Sequence, residues 1–275
     1  MLKNILKNIV ADKKRQGAPD FVIKNFLKEY LQYPVLQFIY NSQDYKNFIF
    51  TGGSCLRICF EAPRLSEDLD FDLTAQDFKK LNLQQLSQEL KKIFEQKFLL
   101  EVETKCQGKN RVYLKFPILK DLGLAKDGES DLLYVKIETE VTIFKNPKIG
   151  LTPISYYGYN FVARNYGLDF LMTGKLNAIF TRKWFKGKDD EINVKGRDFY
   201  DLFWYWQNNV EPDYVNLKRL VKISNQQQLK AALLEKIKNL TTQKLSYDLK
   251  NFFPDQEFIM DFCKNYKKFF KKFLD

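Results

Sequence analysis

The segment Phe50-Thr51-Gly52-Gly53-Ser54, followed by Ser66-Glu67-Asp68-Leu69-Asp70-Phe71-Asp72, limits the folds open to this chain more than any other stretch. Asn47-Phe48-Ile49-Phe50 is a short apolar strand that runs straight into two glycines. Glycines after a strand let the backbone turn tightly and bring its N–H groups close to a phosphate. A helix that begins at Ser54 adds its positive dipole end at the same place. Leu69 to Leu73 alternates apolar and acidic residues, the pattern of a half-buried strand, so Asp68 and Asp70 share the face opposite Leu69 and Phe71. Two carboxylates on one face are hard-oxygen ligands for Mg²⁺, with Mn²⁺ the alternative ion, and Mg²⁺ also takes substrate phosphates. A third acid on a neighbouring strand would complete a two-metal site. In Val135-Lys136-Ile137-Glu138-Thr139-Glu140-Val141 the acids again alternate with apolar residues; Glu138, mid-strand, is the first choice and Glu140 the second. The competing reading makes these acids the solvated face of an edge strand.

Around this segment the chain reads as α+β. Phe21 to Tyr40 has helical spacing interrupted by Pro34, after a start signal at Gly17-Ala18-Pro19-Asp20. Leu56 to Glu61 reads as one or two helical turns, and Asp77 to Gln96 as an amphipathic helix. Strands are expected near Leu99 to Lys105, Arg111 to Phe116 and Leu132 to Phe144. Beyond about Pro153 the strand signal fades and helices are expected at Asp169 to Trp184, Arg197 to Gln207, Gln226 to Leu240 and Gln256 to Phe273. The expected organisation is a mixed sheet with helices over 1–155 and a helical domain over 156–275.

Composition narrows the chemistry. The 275 residues include no histidine, which removes Ser-His-Asp and Cys-His catalysis, His-ligated zinc and histidine bases together. Catalysis must run on carboxylates, lysines or bound metal. A formal charge of +11 favours a polyanionic partner. Cys55, Cys59, Cys106 and Cys263 form no CxxC pair and read as free thiols in a reducing compartment. The N-terminal MLKNILKNIVADKKRQ breaks its apolar residues with lysines and offers no small-residue cleavage site, and Tyr30 to Tyr40 is too short to span a bilayer. The expected location is cytoplasmic, with no membrane partner.

Further along, Lys175 and Arg182 are seven residues apart, so they share a helical face and can both point at a triphosphate, Lys as a point charge and Arg as a two-bonded grip. Asp198 and Asp201, three apart, also share a face. A structural alternative has these four residues neutralising one another across two packed helices, and Arg197 pairing with Asp201. Between them, Lys183-Trp184-Phe185-Lys186-Gly187-Lys188 and the following Asp189 to Lys195 combine basic and aromatic residues that suit an RNA backbone and an unstacked base, or simply form a solvated loop. The last helix carries Lys264, Lys267, Lys268, Lys271 and Lys272 beside Phe269, Phe270 and Phe273. It reads as a surface for RNA, an acidic partner or a membrane, or as a solvated basic face over a packed aromatic one.

The stretch FTGGSCLRICFEAPRLSEDLDFDL resembles the first motif of the AbiEii/AbiGii-type nucleotidyltransferase toxins, with MenT-like relatives, in the polymerase-beta-like nucleotidyltransferase superfamily. Phe50, Gly52, Gly53, Ser54, Leu56, Arg64, Ser66, Asp68 and Asp70 occupy the family pattern, with Ser54 where threonine is commoner. Val22 to Tyr40 is similar to the family's leading helix. Lys175, Arg182 and Arg197-Asp198-Phe199-Tyr200-Asp201-Leu202 match its later motifs, so the resemblance runs over roughly residues 20–205. It implies a nucleotidyltransferase domain over 1–155 and a Mg²⁺- and NTP-dependent enzyme. Gly53, Ser54, Arg64, Ser66, Lys175 and Arg182 would bind the nucleotide, and Asp68, Asp70 and Glu138 the metal. Asp70 and Lys175 would be catalytic, and Asp198 would activate the attacking hydroxyl, a role for which a chain without histidine has only carboxylates. The resemblance further implies the toxin half of a toxin–antitoxin pair in phage defence (abortive infection), with a cognate antitoxin and with the tRNA 3′ end or another RNA as acceptor. Two other readings stand beside it: a protein or small-molecule acceptor, and a basic RNA-binding module without catalysis.

Overall fold

The structure is a computed structural model that describes residues 2–182 and 194–274. The chain divides into two compact units, the first formed by residues 1–143 and 149–165 and the second by 144–148 and 166–275.

The first unit opens with two helices, α1 (Leu2–Arg15) and α2 (Asp20–Asn41). Gly17, at φ +76°, turns the chain between them. Pro34 lies inside α2 and does not end it. A proline there removes one backbone hydrogen bond, but Leu31, Val35, Leu36 and Ile39 around it are fully buried, and their packing carries the helix across the break. β1 (Ile49–Thr51) leads into α3 (Gly52–Phe60), and β2 (Asp68–Leu73) follows. Where one amphipathic helix was expected over 77–96 there are two, α4 (Ala75–Lys80) and α5 (Leu83–Lys92), with a π-turn over Ile93–Lys97. The division falls where Asn82 caps α5 by accepting a hydrogen bond from the Gln85 N–H at 3.1 Å.

β3 (Glu103–Gln107), β4 (Arg111–Pro117) and β5 (Leu132–Val141) are followed by two strands that the residue pattern does not announce, β6 (Ile149–Tyr156) and β7 (Tyr159–Tyr166). The seven strands form one mixed sheet in the order β3-β4-β5-β2-β1-β7-β6. At its centre β2 runs antiparallel to β1 and parallel to β5. Leu69, Phe71, Leu73, Val135 and Ile137 point to the buried face. Alternation therefore sends the acids of β2 and β5 to the opposite face.

The second unit is helical: α6 (Leu168–Thr181), α7 (Gly196–Gln207), α8 (Tyr214–Val221), α9 (Gln226–Lys238), α10 (Thr242–Leu249) and α11 (Gln256–Leu274). Its core is aromatic, with Phe199, Tyr200, Phe203 and Tyr205 of α7 buried along with Phe262, Tyr266 and Phe270 of α11. α7 and α10 approach closely at Gly196, where a Cβ would overlap the Leu245 carbonyl. Among the described residues no helix is long and apolar enough to cross a membrane. All four cysteines are free thiols, Cys55 and Cys263 being buried.

Candidate active site

Two clusters of functional side chains emerge, one in each unit. The first is built on the turn from β1 into α3. Gly52 has φ +74°, a conformation side chains disfavour, and a Cβ on it would overlap the Asp70 carboxylate. At Gly53 a Cβ would lie 2.6 Å from Arg64 Nη2 and 2.8 Å from Ser66 Oγ. Position 52 therefore needs glycine, a side chain at Gly53 would have to displace Arg64 or Ser66, and the turn lies directly against the acid-bearing strand. Ser54 is fully buried and its hydroxyl donates to the Asp68 carbonyl, which ties the first turn of α3 to β2. Arg64 and Ser66, expected from the sequence to bind nucleotide, are also buried, at 2% and 6% exposure. Arg64 donates to the Leu65 carbonyl at 2.9 Å and packs under Gly53, so it braces the turn from inside. Thr51, the residue preceding α3, makes no side-chain cap, so the first N–H groups of the helix are left to other partners.

Strand register sets the acids. Asp70 is the cross-strand partner of Glu138, Asp68 of Lys136, and Asp72 of Glu140. Asp68, Asp70 and Glu138 therefore share the face away from the core. Glu140, the second choice, is exposed one register step further along. Two residues outside the sequence expectation enter here. Lys136 Nζ lies 2.9 Å from both Asp68 Oδ2 and Glu138 Oε2. Arg111, opposite Glu138 on β4, donates to Glu138 Oε1 from Nε at 2.8 Å and from Nη2 at 2.6 Å. Burial pushes the Glu138 carboxyl up, but the hydrogen bonds and charges of Lys136 and Arg111 outweigh it and hold the group below its ordinary range. Burial likewise opposes the Lys136 charge, and Asp68 and Glu138 more than restore it, so the ammonium is held above its usual range.

Among the described residues no three acids or thiols gather closely enough to hold an ion as they stand. The donor chemistry of Asp68 and Asp70 nevertheless fits a hard divalent ion that takes one or two protein carboxylates and completes its shell with water and phosphate. Glu138 can join them only by giving up part of its pairing with Arg111 and Lys136.

The second cluster lies on α6 and α7. Lys175 Nζ is 2.8 Å from Asp198 Oδ1 and 2.8 Å from Asp201 Oδ2. Arg182, just past the end of α6, places Nη1 2.9 Å from Asp198 Oδ2. Both carboxylates are buried, Asp198 at 5% and Asp201 at 1% exposure, whereas the Arg182 side chain keeps 40%. Burial drives the Asp198 carboxyl up, and the Lys175 and Arg182 charges overcome it, so Asp198 is held below its ordinary range as a carboxylate. The network expected as the structural alternative is thus present. Arg197 meets Asp248 of α10: its backbone N–H donates to Oδ2 at 3.0 Å, and its guanidinium sits 4.4 Å from the centre of the Phe252 ring. Lys195, the last residue of the run read from the sequence as RNA-facing or as a solvated loop, is held below its usual range by burial and by the Arg197 and Arg182 charges. The basic and aromatic run 183–188, and its continuation to 193, lie outside the described residues.

Lys136 was within reach of the sequence: the alternation that selects Glu138 puts Lys136 on the same face. Arg111 was not, because its place depends on the register between β4 and β5.

Comparison with known proteins bears on the fold and the family. The chain is similar in structure to MenT4, the nucleotidyltransferase toxin Rv2826c from Mycobacterium tuberculosis H37Rv, at a TM-score of 0.56 and 12% identity over 98% of this chain and 90% of that one. It is also similar to JHP933 from Helicobacter pylori, at a TM-score of 0.52 and 16% identity over 91% of each chain. At such identities these likenesses establish the fold. No curated protein matches by sequence. The family pattern described as "Nucleotidyl transferase AbiEii toxin, Type IV TA system" matches residues 35–275. The chain belongs to the AbiEii nucleotidyltransferase toxin family.

Proposed function

We propose that this protein transfers a nucleoside monophosphate from an NTP to the 3′-terminal hydroxyl of tRNA, as the toxin of a type IV toxin–antitoxin pair that serves phage defence in the cytoplasm. The observation that carries the proposal is the register that sets Asp70 beside Glu138, two residues from Asp68, against a turn where a Cβ on Gly52 or Gly53 would meet Asp70, Arg64 or Ser66.

In this reading the backbone of Gly53 and Ser54 receives the phosphates, with buried Arg64 and Ser66 fixing that backbone. Asp68 and Asp70, with Glu138 as third acid, would hold Mg²⁺, or Mn²⁺ in its place. A divalent ion there supplies charge neutralisation on the phosphate oxygens and a fixed geometry for in-line displacement. Lys175 and Arg182 neutralise the triphosphate. The acceptor oxygen bonds to the α-phosphorus, the bond from that phosphorus to the bridging oxygen breaks, and pyrophosphate leaves with the electron pair. The acceptor proton passes to Asp198. A carboxylate bonded to two cations is a weak base; when the triphosphate draws Lys175 and Arg182 to itself, Asp198 regains basicity as the nucleotide binds. The family implies an antitoxin partner.

The test is made in cells. Expression of the intact protein should arrest growth, and tRNA from the arrested cells should carry extra 3′ nucleotides; Asp70→Ala should relieve both. Equal toxicity of Asp70→Ala would count against a catalytic toxin. Arrest with unaltered tRNA and nucleotide-modified protein would move the acceptor to a protein.

A further inference from the structure

We infer that the outward face of α11 is the surface that grips the phosphate backbone of the RNA acceptor. This rests on the nucleotidyl-transfer reading above for the identity of its ligand, but on separate residues. Lys264, Lys267, Lys268, Lys271 and Lys272 are all exposed, and no acid interrupts them between Phe262 and Leu274. Of the neighbouring acids, Asp255, Glu257 and Asp261 precede the row and Asp275 follows it. At 1.5 Å per residue the lysines span about 12 Å, which matches three to four phosphates at about 3.4 Å per nucleotide along a strand.

Three ordinary explanations fall short. Cations near a helix C-terminus are favoured by the helix dipole, but that effect fades beyond the last turn and leaves Lys264, Lys267 and Lys268 unexplained. The spacing also creates five like-charge pairs at i,i+3 and i,i+4 (264/267, 268/271, 264/268, 267/271 and 268/272). Each pair weakens the helix, and a bound polyanion would relieve all five. Membrane insertion needs a continuous free apolar face, and on α11 Ile259, Phe262, Cys263, Tyr266, Phe270 and Leu274 are buried in the core of the second unit, leaving Phe258, Met260 and Phe269 exposed as scattered side chains. A protein partner is the poorer match, because protein interfaces are depleted in lysine and centred on apolar anchors. A row of point charges without interleaved acids is the pattern that neutralises phosphates.

The experiment uses the full chain and bulk tRNA as probe, without NTP or metal, over a salt series. The fivefold variant carrying Lys264→Gln, Lys267→Gln, Lys268→Gln, Lys271→Gln and Lys272→Gln keeps helix-favouring residues at exposed positions, and circular dichroism checks its fold. The expected result is weaker tRNA binding and a slope of log affinity against log salt shallower by about 2 to 3.5, since each of the three to four phosphates left without its lysine removes about 0.7 to 0.9 from the slope. NTP affinity should not change, and the fivefold Lys→Arg variant should bind tRNA like the parent. Unchanged tRNA affinity and slope in the Gln variant would overturn the proposal. So would loss of binding to phosphatidylserine vesicles or to poly-glutamate with tRNA binding intact. A parent protein that labels another acceptor and has no tRNA affinity would also overturn it, while leaving nucleotidyl transfer standing.

Discussion

At Gly53 the contact between turn and brace is close enough that one added methyl must displace something: 2.6 Å to the Arg64 guanidinium, itself fully enclosed. Gly53→Ala should therefore cost about 1 to 3 kcal/mol, the usual range for overpacking, and reduce nucleotidyl transfer far more than the stability change accounts for. Denaturant unfolding and turnover, measured together, would show it; a variant with parent activity would mean the turn is not where phosphates bind. The depressed carboxyls of Glu138 and Asp198 set a pH dependence. Their folded pKa values lie below the unfolded ones, about 4.3 for Glu and 3.9 for Asp. The stability they contribute is fully present above the unfolded values and is lost as pH falls through the folded ones. Unfolding free energy should hold between pH 7 and 5 and drop below about pH 4, and Asp198→Asn should make that drop smaller. An identical drop in Asp198→Asn would show that its ion pairs give no net stabilisation.

At the scale of elements, Lys175 on α6 bridges Asp198 and Asp201 of α7, and the proposed reaction also asks it to meet phosphate. Removing it leaves two buried carboxylates short of a cation, so Lys175→Met should destabilise by about 3 to 5 kcal/mol. The combined Lys175→Met/Asp198→Asn/Asp201→Asn variant should recover most of that loss in thermal unfolding and still transfer no nucleotide. Recovery of transfer would make the network purely structural. The elements also show what the sequence can tell. β2 and β5 were legible because one face of each is buried and the other polar, so period two survives in the residue types, and with it Asp68, Asp70 and Glu138. β6 was not: it is an edge strand with no fully buried residue and with Pro153 in its middle. β7 hides its alternation by placing Val162 outside and Asn165 inside. Their hairpin turns at Tyr157-Gly158, both at positive φ, where a tyrosine stands in place of the usual asparagine or aspartate. The break between α4 and α5 rests on the Asn82 cap, which a helical periodicity spanning both helices conceals.

For the whole molecule, a chain without histidine leaves proton transfer to carboxylates or lysines, and a charge of +11 favours a polyanionic partner. Family membership places the chain among nucleotidyltransferase toxins, and such enzymes generally use a divalent metal. The central claim, nucleotidyl transfer at the Asp68–Asp70 face, is tested most directly by incubating purified protein with Mg²⁺, tRNA and each of the four α-³²P NTPs in turn, alongside Asp70→Ala. The account predicts label on tRNA from one or more of the NTPs and none with the variant. Label that persists undiminished in Asp70→Ala would contradict it.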